Sequence, residues 1–167
     1  MNVLVIGSGG REHAIVEAIS RSPKAPKIYA APGNAGISQL AECVAIKDTE
    51  VAKLVEFAKN NNVELTVVGP EASLAAGVVD AFRAEGLKIF GPTKAAAEIE
   101  ASKDFAKRLM VKYDVPTAGY ATFSDFEEAL AYVRRGTLPT VLKYDGLAAG
   151  KGVVIATTME EAEATLR

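Results

Sequence analysis

The stretch that decides the fold is Asn2–Ala14, which reads NVLVIGSGGREHA. Its apolar run, Val3–Ile6, has the length of one buried β-strand, and a glycine-rich turn ends that strand before a helical pattern begins at Glu12. A strand, a glycine turn and a helix in this order are typical of the first unit of a parallel α/β sheet. The stretch therefore predicts an α/β fold.

The same alternation continues along the chain. Short β-branched runs predict strands, and the periodic apolar patterns between them predict helices. Alternation at this spacing predicts right-handed crossovers and a parallel, Rossmann-like sheet covered by helices. The predicted strands are Asn2–Ile6, Lys27–Ala31, Cys43–Ile46, Glu64–Val68 and Leu87–Phe90, and the predicted helices are Glu12–Arg21, Val51–Asn60 and Leu74–Glu85.

The character of the sequence changes after Gly91-Pro92, where strand–helix alternation gives way to two helical segments. We therefore divide the chain into a first domain over residues 1–100, a connecting helix over 101–117 and a last segment over 118–167. The predicted elements are helices Thr93–Ala101 and Ser102–Tyr113, strand Gly119–Phe123, helix Asp125–Arg135, strands Thr140–Lys143 and Val153–Ala156, and a helix from Met159.

Two helix starts carry the spacing of a capping box. Ser124 with Glu127, and Thr158 with Glu161, can each exchange hydrogen bonds between side chain and backbone at a helix N-terminus. The second of these helices continues to Arg167. A unit that stops within an element is too small for a stable domain, so we expect the chain to be truncated.

Composition excludes several classes of function. Nineteen basic against 21 acidic residues give a net charge of −2, which provides no electrostatic support for binding nucleic acid or a membrane surface. A single cysteine and a single histidine exclude an internal disulfide and a Cys/His metal cluster. The longest apolar stretch, Leu74–Val79, is too short for a membrane span. We expect a soluble, cytoplasmic protein that acts on small molecules.

The first glycine loop, residues 7–10, predicts a phosphate site, because backbone N–H groups and the helix dipole meet there. A dinucleotide is disfavoured, since Glu12 stands where the third glycine of that fingerprint is needed and the second strand ends without an acidic residue. A merely tight turn is the alternative. His13 either contacts substrate or packs within the fold. The candidate residues are Gly9, Gly10, Arg11 and Glu12.

Two further loops follow the carboxyl ends of predicted strands. One is Pro32–Gly36, with Asn34 at its centre, and the other contains Gly69, Pro70 and Glu71. In open α/β sheets ligands bind at this edge, so the three loops are expected to converge on one phosphorylated ligand. Taken singly, each loop is an ordinary turn.

A second glycine loop lies between two predicted strands and differs from a Walker loop, which needs four residues between its glycines and a following helix. We expect a flap over nucleotide phosphates, with Lys143 on the incoming strand; the alternative is a plain hairpin. Lys103 is a further candidate, although alone it has the pattern of a surface lysine. The loop consists of Asp145, Gly146, Leu147, Ala148, Ala149, Gly150, Lys151 and Gly152.

Seven motifs stand in a characteristic order across essentially the whole chain. Together they resemble the glycinamide ribonucleotide synthetase family, the phosphoribosylamine–glycine ligases of the ATP-grasp superfamily. Ala101 and Tyr144 depart from the usual glycine and alanine of that family, and Ser8 occupies a variable position. The motifs are Asn2–Ala14, Ala31–Gly36, Thr66–Glu71, Leu74–Phe82, Ile89–Ala97, Ser102–Lys107 and Asp145–Val154.

The resemblance implies an ATP-dependent carbon–nitrogen ligase of purine synthesis, which joins 5-phosphoribosylamine to glycine through glycyl phosphate and uses Mg²⁺ or manganese. It implies a pre-ATP-grasp domain followed by part of an ATP-grasp lid. Residues 9–12, Asn34 and the Pro70-Glu71 turn would lie near the ribose phosphate, whereas Lys103, Lys143 and residues 145–152 would meet ATP. Metal ligands are expected outside this chain, so the chain alone is expected to show no turnover.

Two other readings stay open at this point. One is a different ATP-grasp enzyme, such as a biotin carboxylase or a formate-dependent purine enzyme, against which the Gly9–His13 motif argues. The other is a non-catalytic module that binds sugar phosphate or nucleotide. The sequence assigns no catalytic residue and gives no indication of oligomeric state.

Overall fold

A computed structural model describes residues 1–148 and 150–167. The protein is α/β and divides into two compact units, residues 1–98 and 99–167. The strands are β1 Asn2–Gly7, β2 Lys27–Pro32, β3 Glu42–Cys43, β4 Val63–Val68, β5 Ile89–Phe90, β6 Thr140–Lys143 and β7 Val153–Ala156. The helices are α1 Gly10–Ser20, α2 Val51–Asn60, α3 Glu71–Ala75, α4 Val78–Ala84, α5 Lys94–Ala101, α6 Lys103–Lys112, α7 Phe126–Arg135 and α8 Met159–Leu166.

The first unit is built on a five-stranded sheet with the order β3-β2-β1-β4-β5. Every neighbouring pair in this sheet is parallel, as the alternating sequence predicted. Strand β1 is central, with β2 on one side and β4 on the other. The chain order therefore reverses at β1, and in open α/β sheets a ligand crevice forms outside the carboxyl ends of the strands at such a point.

Residues 3–6 of β1 are all apolar because both faces of the strand are covered. Leu4 and Ile6 pack into a cluster that includes Phe82 of α4, while Val3 and Val5 pack into a second cluster on the other face. All four β1 residues are at most 1% exposed. Burying one such side chain contributes about 1.5–3 kcal/mol. The most apolar stretch of the sequence thus fixes the position of the glycine turn that follows it.

Two predicted elements of the first unit differ in the structure. The helix predicted over Leu74–Glu85 is wrong as a single element, because Gly77 adopts a φ of +86° and separates α3 from α4. The strand predicted over Cys43–Ile46 ends at Cys43. There the N–H of Ile46 donates to the carbonyl of Val44 at 2.7 Å, and this tight turn leads the chain away from the sheet.

The second unit contains an antiparallel pair, β6 and β7, in which Val141 faces Ile155 and Lys143 faces Val153. One face of this hairpin packs on α7 and α8 through a small cluster that includes Val133, Ala156 and Ala162. No helix among the described residues has the length and apolar character that crossing a membrane requires.

The strand predicted over Gly119–Phe123 is wrong, since the structure shows no strand there. Contacts between side chains hold this segment, in place of the backbone hydrogen bonds of a strand pair. The ammonium of Lys107 lies 5.5 Å from the centre of the Tyr120 ring, and the Phe123 ring lies 5.1 Å from that of Tyr132. The aromatic residues that favour a strand in the sequence thus serve packing between side chains.

One of the two predicted helix starts is confirmed. The Thr158 hydroxyl accepts from the N–H of Glu161 at 3.2 Å, which caps α8. The start predicted at Ser124 is wrong by one residue, because the cap of α7 is Asp125, whose carboxylate accepts from the N–H of Glu128 at 2.9 Å. Aspartate is as good a cap as serine, so spacing alone did not distinguish the two.

Candidate functional site

The first candidate site lies where β2, β1 and β4 end. The N–H of Gly33 donates to the carbonyl of Gly7 at 3.1 Å, and the N–H of Gly69 donates to the carbonyl of Ile6 at 3.1 Å. These bonds extend the parallel ladders into the loops. The structure thereby brings together the three loops that the sequence singled out, residues 7–10, 32–36 and 69–71.

The carboxylate of Glu12 lies beneath the first loop. Glu12 is only 3% exposed, and it accepts from the N–H of Gly9 at 2.7 Å and from Nε of Arg11 at 2.7 Å. A Cβ at Gly7 would lie 2.5 Å from Glu12 Cγ, and a Cβ at Gly69 would collide with its carboxylate. Glu12 therefore fills the space that close packing of a dinucleotide fingerprint leaves to glycine.

The N-terminus of α1 offers donors at the surface of this loop. The first N–H groups of a helix have no intrahelical acceptor. Glu12 already accepts from the N–H of Gly9, and the first helical bond runs from the N–H of His13 to the carbonyl of Gly9 at 3.0 Å. The N–H groups of Gly10 and Arg11 are thus the donors best placed for an anion.

Asn34 connects two of the loops. Its Nδ2 donates to the carbonyl of Ser8 at 2.7 Å, while its Oδ1 accepts from the N–H groups of Gly36 and Ile37 at 2.8 and 2.9 Å. The amide thus bonds within the protein through both its nitrogen and its oxygen. Asn34 fixes the spacing between the first and second loops, and the ring of His13 packs against Gly36 in the same region.

Arg11 connects the first and third loops. Its Nη2 donates to Glu71 Oε2 at 3.3 Å, and Glu71 begins α3 directly after Pro70. The hydrogen bond to Glu12 is the largest cause of a raised pKa of Arg11. A bond from its own backbone N–H is the largest cause of a lowered pKa of Glu71; burial opposes it, and the Arg11 guanidinium adds to the lowering. Arg11 is 56% exposed at its side chain and can exchange a carboxylate for another anion.

The second candidate site is the glycine loop between β6 and β7. Asp145 at its start accepts from the N–H of Lys103 at 2.6 Å and from the N–H of Asp104 at 3.1 Å. The ammonium of Lys103 donates to the carbonyl of Gly146 at 2.7 Å. The predicted residues Lys103, Asp145 and Gly146 are thus in mutual contact at the N-terminus of α6.

The remainder of the loop bonds to itself and to the hairpin. The N–H of Tyr144 donates to the carbonyl of Gly152 at 2.8 Å, and the N–H of Lys151 donates to the carbonyl of Ala148 at 2.8 Å. Gly150 has a φ of +78°, a left-handed conformation that favours glycine. Leu147 is exposed. The predicted flap residue Ala149 lies outside the described residues.

Lys143 stands on the face of the hairpin that does not pack on α7 and α8. Strand residues alternate between faces, so Lys143 shares its face with Val141, Val153 and Ile155. These three apolar residues are 52, 47 and 60% exposed. The unit therefore presents a cation beside exposed apolar surface. The Tyr144 ring lies at the loop hinge, where a Cβ at Gly146 would approach its Cε1 to 3.1 Å.

Among residues 1–148 and 150–167 there is no group of three or more His, Cys, Asp or Glu side chains that could hold a metal ion.

Sequence reasoning did not find the contact between Ser102 and Asp145. The Ser102 hydroxyl lies 3.2 Å from Asp145 Oδ2 and also accepts from the N–H of Phe105 at 3.0 Å. Ser102 directly before a helix is a capping signal, but its second partner is 43 residues away. Spacing along the chain holds no signal for a contact of that range.

Comparison with known proteins identifies the class. Residues 101–167 match the model of the phosphoribosylglycinamide synthetase ATP-grasp (A) domain, and residues 1–100 match the model of the N domain of the same synthetase. Residues 101–167 therefore match part of an ATP-grasp domain, as the family resemblance implied. The chain belongs to the phosphoribosylglycinamide synthetase family, as the sequence motifs predicted.

Similar proteins agree with this membership. The phosphoribosylamine–glycine ligase of Pasteurella multocida is 56% identical over 169 residues, and that of Halalkalibacterium halodurans is 57% identical over 166 residues; they match 100% and 99% of this chain. The crystal structure of the Thermotoga maritima ligase superposes with a TM-score of 0.76 at 32% identity and covers 98% of this chain. These matches do not favour the alternative ATP-grasp enzymes.

The chain spans 39% of the length of the two relatives and 38% of the Thermotoga maritima chain.

Proposed function

We propose that this chain serves the ATP-dependent ligation of 5-phosphoribosylamine and glycine to glycinamide ribonucleotide, a step of purine synthesis. The observation that carries the proposal is the match of both units, in order, to one synthetase family. The named activity of relatives at 56–57% identity supports it.

The first site is proposed to hold the ribose phosphate of phosphoribosylamine. The N–H groups of Gly10 and Arg11 at the start of α1 suit a phosphate, and the Arg11 guanidinium adds a positive charge beside them. Glu12, Asn34 and Pro70 hold the shape of the loops, because their contacts lie within the protein. A phosphate that binds here would compete with Glu71 for Arg11.

The second site is proposed to hold ATP. Lys143 and Lys103 supply two ammonium groups, and Gly146–Gly152 supply a loop whose small residues allow a close approach to phosphates. The exposed apolar residues Val141, Val153 and Ile155 suit a base or ribose beside those phosphates.

The chemistry requires activation of a carboxylate. Transfer of the γ-phosphoryl group of ATP to a carboxylate oxygen of glycine gives glycyl phosphate and ADP. The amine of phosphoribosylamine then attacks the carbonyl carbon, the bond to phosphate breaks, and the nitrogen loses a proton. Lysines and loop N–H groups around the phosphates would stabilise the charge that moves during the first step.

A divalent cation, Mg²⁺ or manganese, is proposed to accompany ATP, as phosphoryl transfer generally requires. The described residues contain no group of three or more His, Cys, Asp or Glu side chains that could hold such a cation. The proposed partners are thus small molecules: phosphoribosylamine, glycine and ATP. We propose residues 1–100 as the substrate domain, 101–117 as a connecting helix and 118–167 as part of the lid.

A chimera tests the proposal. This chain replaces the matched residues of the Pasteurella multocida ligase, and ADP release is measured with phosphoribosylamine, glycine, ATP and Mg²⁺. We expect glycine-dependent ADP release. Lys143→Met should reduce it about tenfold or more, because a charge-assisted contact contributes about 1.5–3 kcal/mol. Lys112→Met, which removes an exposed lysine at the end of α6, serves as the matched control.

A folded chimera that binds ATP but releases no ADP in response to glycine would contradict the proposal, provided that the parent ligase is active in parallel. Binding of ATP to the 167-residue chain, measured by calorimetry, covers the case in which the chimera does not fold.

A further inference from the structure

The base of the glycine loop, Asp145 and Gly146, is tied to the N-terminus of α6 through three consecutive residues, Ser102, Lys103 and Asp104. We propose that Asp145 is a positioning residue, which tethers the loop through its carboxylate and thereby places Lys103 and the loop for the phosphates of a nucleotide. The role of the loop rests on the proposed function, whereas the tether itself is independent of it.

Both oxygens of the Asp145 carboxylate contact the N-terminus of α6. One oxygen, Oδ1, accepts from the N–H groups of Lys103 and Asp104 at 2.6 and 3.1 Å, and the other lies 3.2 Å from the Ser102 hydroxyl. A helix N-terminus stabilises negative charge, so this is a favourable place for a carboxylate. The side chain therefore acts as a second cap for a helix that begins 42 residues earlier in the chain.

Lys103 also contacts the loop through its side chain. Its ammonium donates to the carbonyl of Gly146, the residue directly after Asp145, at 2.7 Å. The backbone of Lys103 thus holds Asp145, while its side chain holds Gly146. This double contact fixes the start of the loop and directs the Lys103 ammonium toward it. Beyond Gly146, the bond from the N–H of Lys151 to the carbonyl of Ala148 stays within the loop.

Charge argues that the Asp145 carboxylate does not bind nucleotide directly. Partial burial raises the pKa of Asp145, but bonds from the N–H groups of Asp104 and Lys103, the Ser102 hydroxyl and the Lys103 charge outweigh it and lower the pKa overall. The group is ionised at neutral pH and would repel phosphate oxygens. A phosphate would instead compete with the Gly146 carbonyl for the Lys103 ammonium, because charge-assisted bonds are the stronger ones.

Amide hydrogen exchange on the full 167-residue chain tests the tether. In Asp145→Ala the N–H groups of Lys103 and Asp104 lose their acceptor, and we expect their exchange to accelerate about tenfold or more. Asp145→Asn keeps one acceptor oxygen and should restore part of the protection. Asp125→Ala is the matched control, since that carboxylate caps α7 through the N–H of Glu128 and contacts neither α6 nor the loop.

Measurements of nucleotide binding distinguish a positioning role of Asp145 from a role in stability alone. If Asp145 places the loop over phosphates, Asp145→Ala should weaken ATP and ADP binding about tenfold or more, by analogy with losing one charge-assisted contact, and leave adenosine binding unchanged. Unchanged exchange at Lys103 and Asp104 would overturn the proposal, and so would an equal loss of adenosine and ATP affinity. A wild-type chain that binds no ATP would contradict the proposed function, while exchange would still decide the tether.

Discussion

The buried side chain of Glu12 accounts for the glycines around the first site. Its buried side chain lies against Gly7 and Gly69, and its carboxylate accepts from the N–H of Gly9. Three glycines on two loops are thus required by one glutamate. The sequence predicted that Glu12 disfavours a dinucleotide, and its contacts support that prediction, since the glutamate occupies the space beneath the loop.

A substitution at Gly7 measures this crowding. Gly7 has a φ of +125°, and a Cβ there would lie 2.5 Å from Glu12 Cγ and 2.9 Å from Pro70 Cδ. We expect Gly7→Ala to lower the free energy of unfolding by roughly 2–4 kcal/mol, as strain adds to overlap. Gly10→Ala is the control, because nothing lies within 4 Å of its Cβ. Urea denaturation measures both, and equal stabilities of the two variants would contradict this account.

The Arg11–Glu71 pair makes stability depend on pH. The pKa of Glu71 is lowered from its ordinary value of 4.5, first by a bond from its own backbone N–H and then by Arg11. A lowered folded pKa gives stability that is present above that ordinary value and is lost as pH falls below it. The pair is half exposed, so we expect Glu71→Gln to cost about 0.5 kcal/mol at pH 7 and almost nothing at low pH.

Titration of Glu71 by NMR gives the check. In Arg11→Gln the pKa should move only part of the way back to its ordinary value, because the backbone N–H is the largest cause of the shift. A complete return would show that Arg11 is the main cause instead.

At the scale of elements, local patterns predicted what local interactions determine. The apolar run Val3–Ile6 gave β1, and the spacing of Thr158 and Glu161 gave the start of α8. Sequence patterns gave a wrong element where a backbone conformation or a contact with a distant residue determines the structure. Gly77 with its positive φ breaks one apolar periodicity into two helices, and the segment predicted as strand Gly119–Phe123 is held by side-chain contacts.

The candidate sites divide in the same way. Glycine spacing and strand ends located all three loops of the first site and the glycine loop of the second. The hydrogen bonds that connect these loops to their neighbours, from the Asn34 amide to Ser8 and from the N–H of Lys103 to Asp145, link residues 26 and 42 positions apart. Nothing in the local sequence specifies such pairs, because they depend on which loops the folded sheet brings together.

The start of α7 distinguishes the two capping assignments. Asp125 caps the helix through the N–H of Glu128, whereas the spacing in the sequence favoured Ser124. We expect Asp125→Ala to lower the free energy of unfolding by about 1 kcal/mol, and Ser124→Ala to change it by no more than about 0.5 kcal/mol. Chemical denaturation followed by circular dichroism measures both. The reverse order of the two effects would restore the assignment made from spacing.

At the scale of the whole molecule, each unit is proposed to bind its own kind of ligand. The helix N–H groups and Arg11 of the first unit are the proposed contacts for a sugar phosphate, and the lysines and glycine loop of the second are the proposed contacts for ATP. Ligands that carry a phosphate but differ in the rest of the molecule should distinguish the two.

The most direct test is an NMR titration of the ¹⁵N-labelled chain with ribose 5-phosphate, NAD and ATP in turn. We predict that ribose 5-phosphate shifts the amide signals of Gly9, Gly10 and Arg11, that ATP shifts those of Lys143 and the loop over residues 146–152, and that NAD shifts neither group. Binding of NAD at Gly9–Arg11 without any response to ribose 5-phosphate would contradict the account.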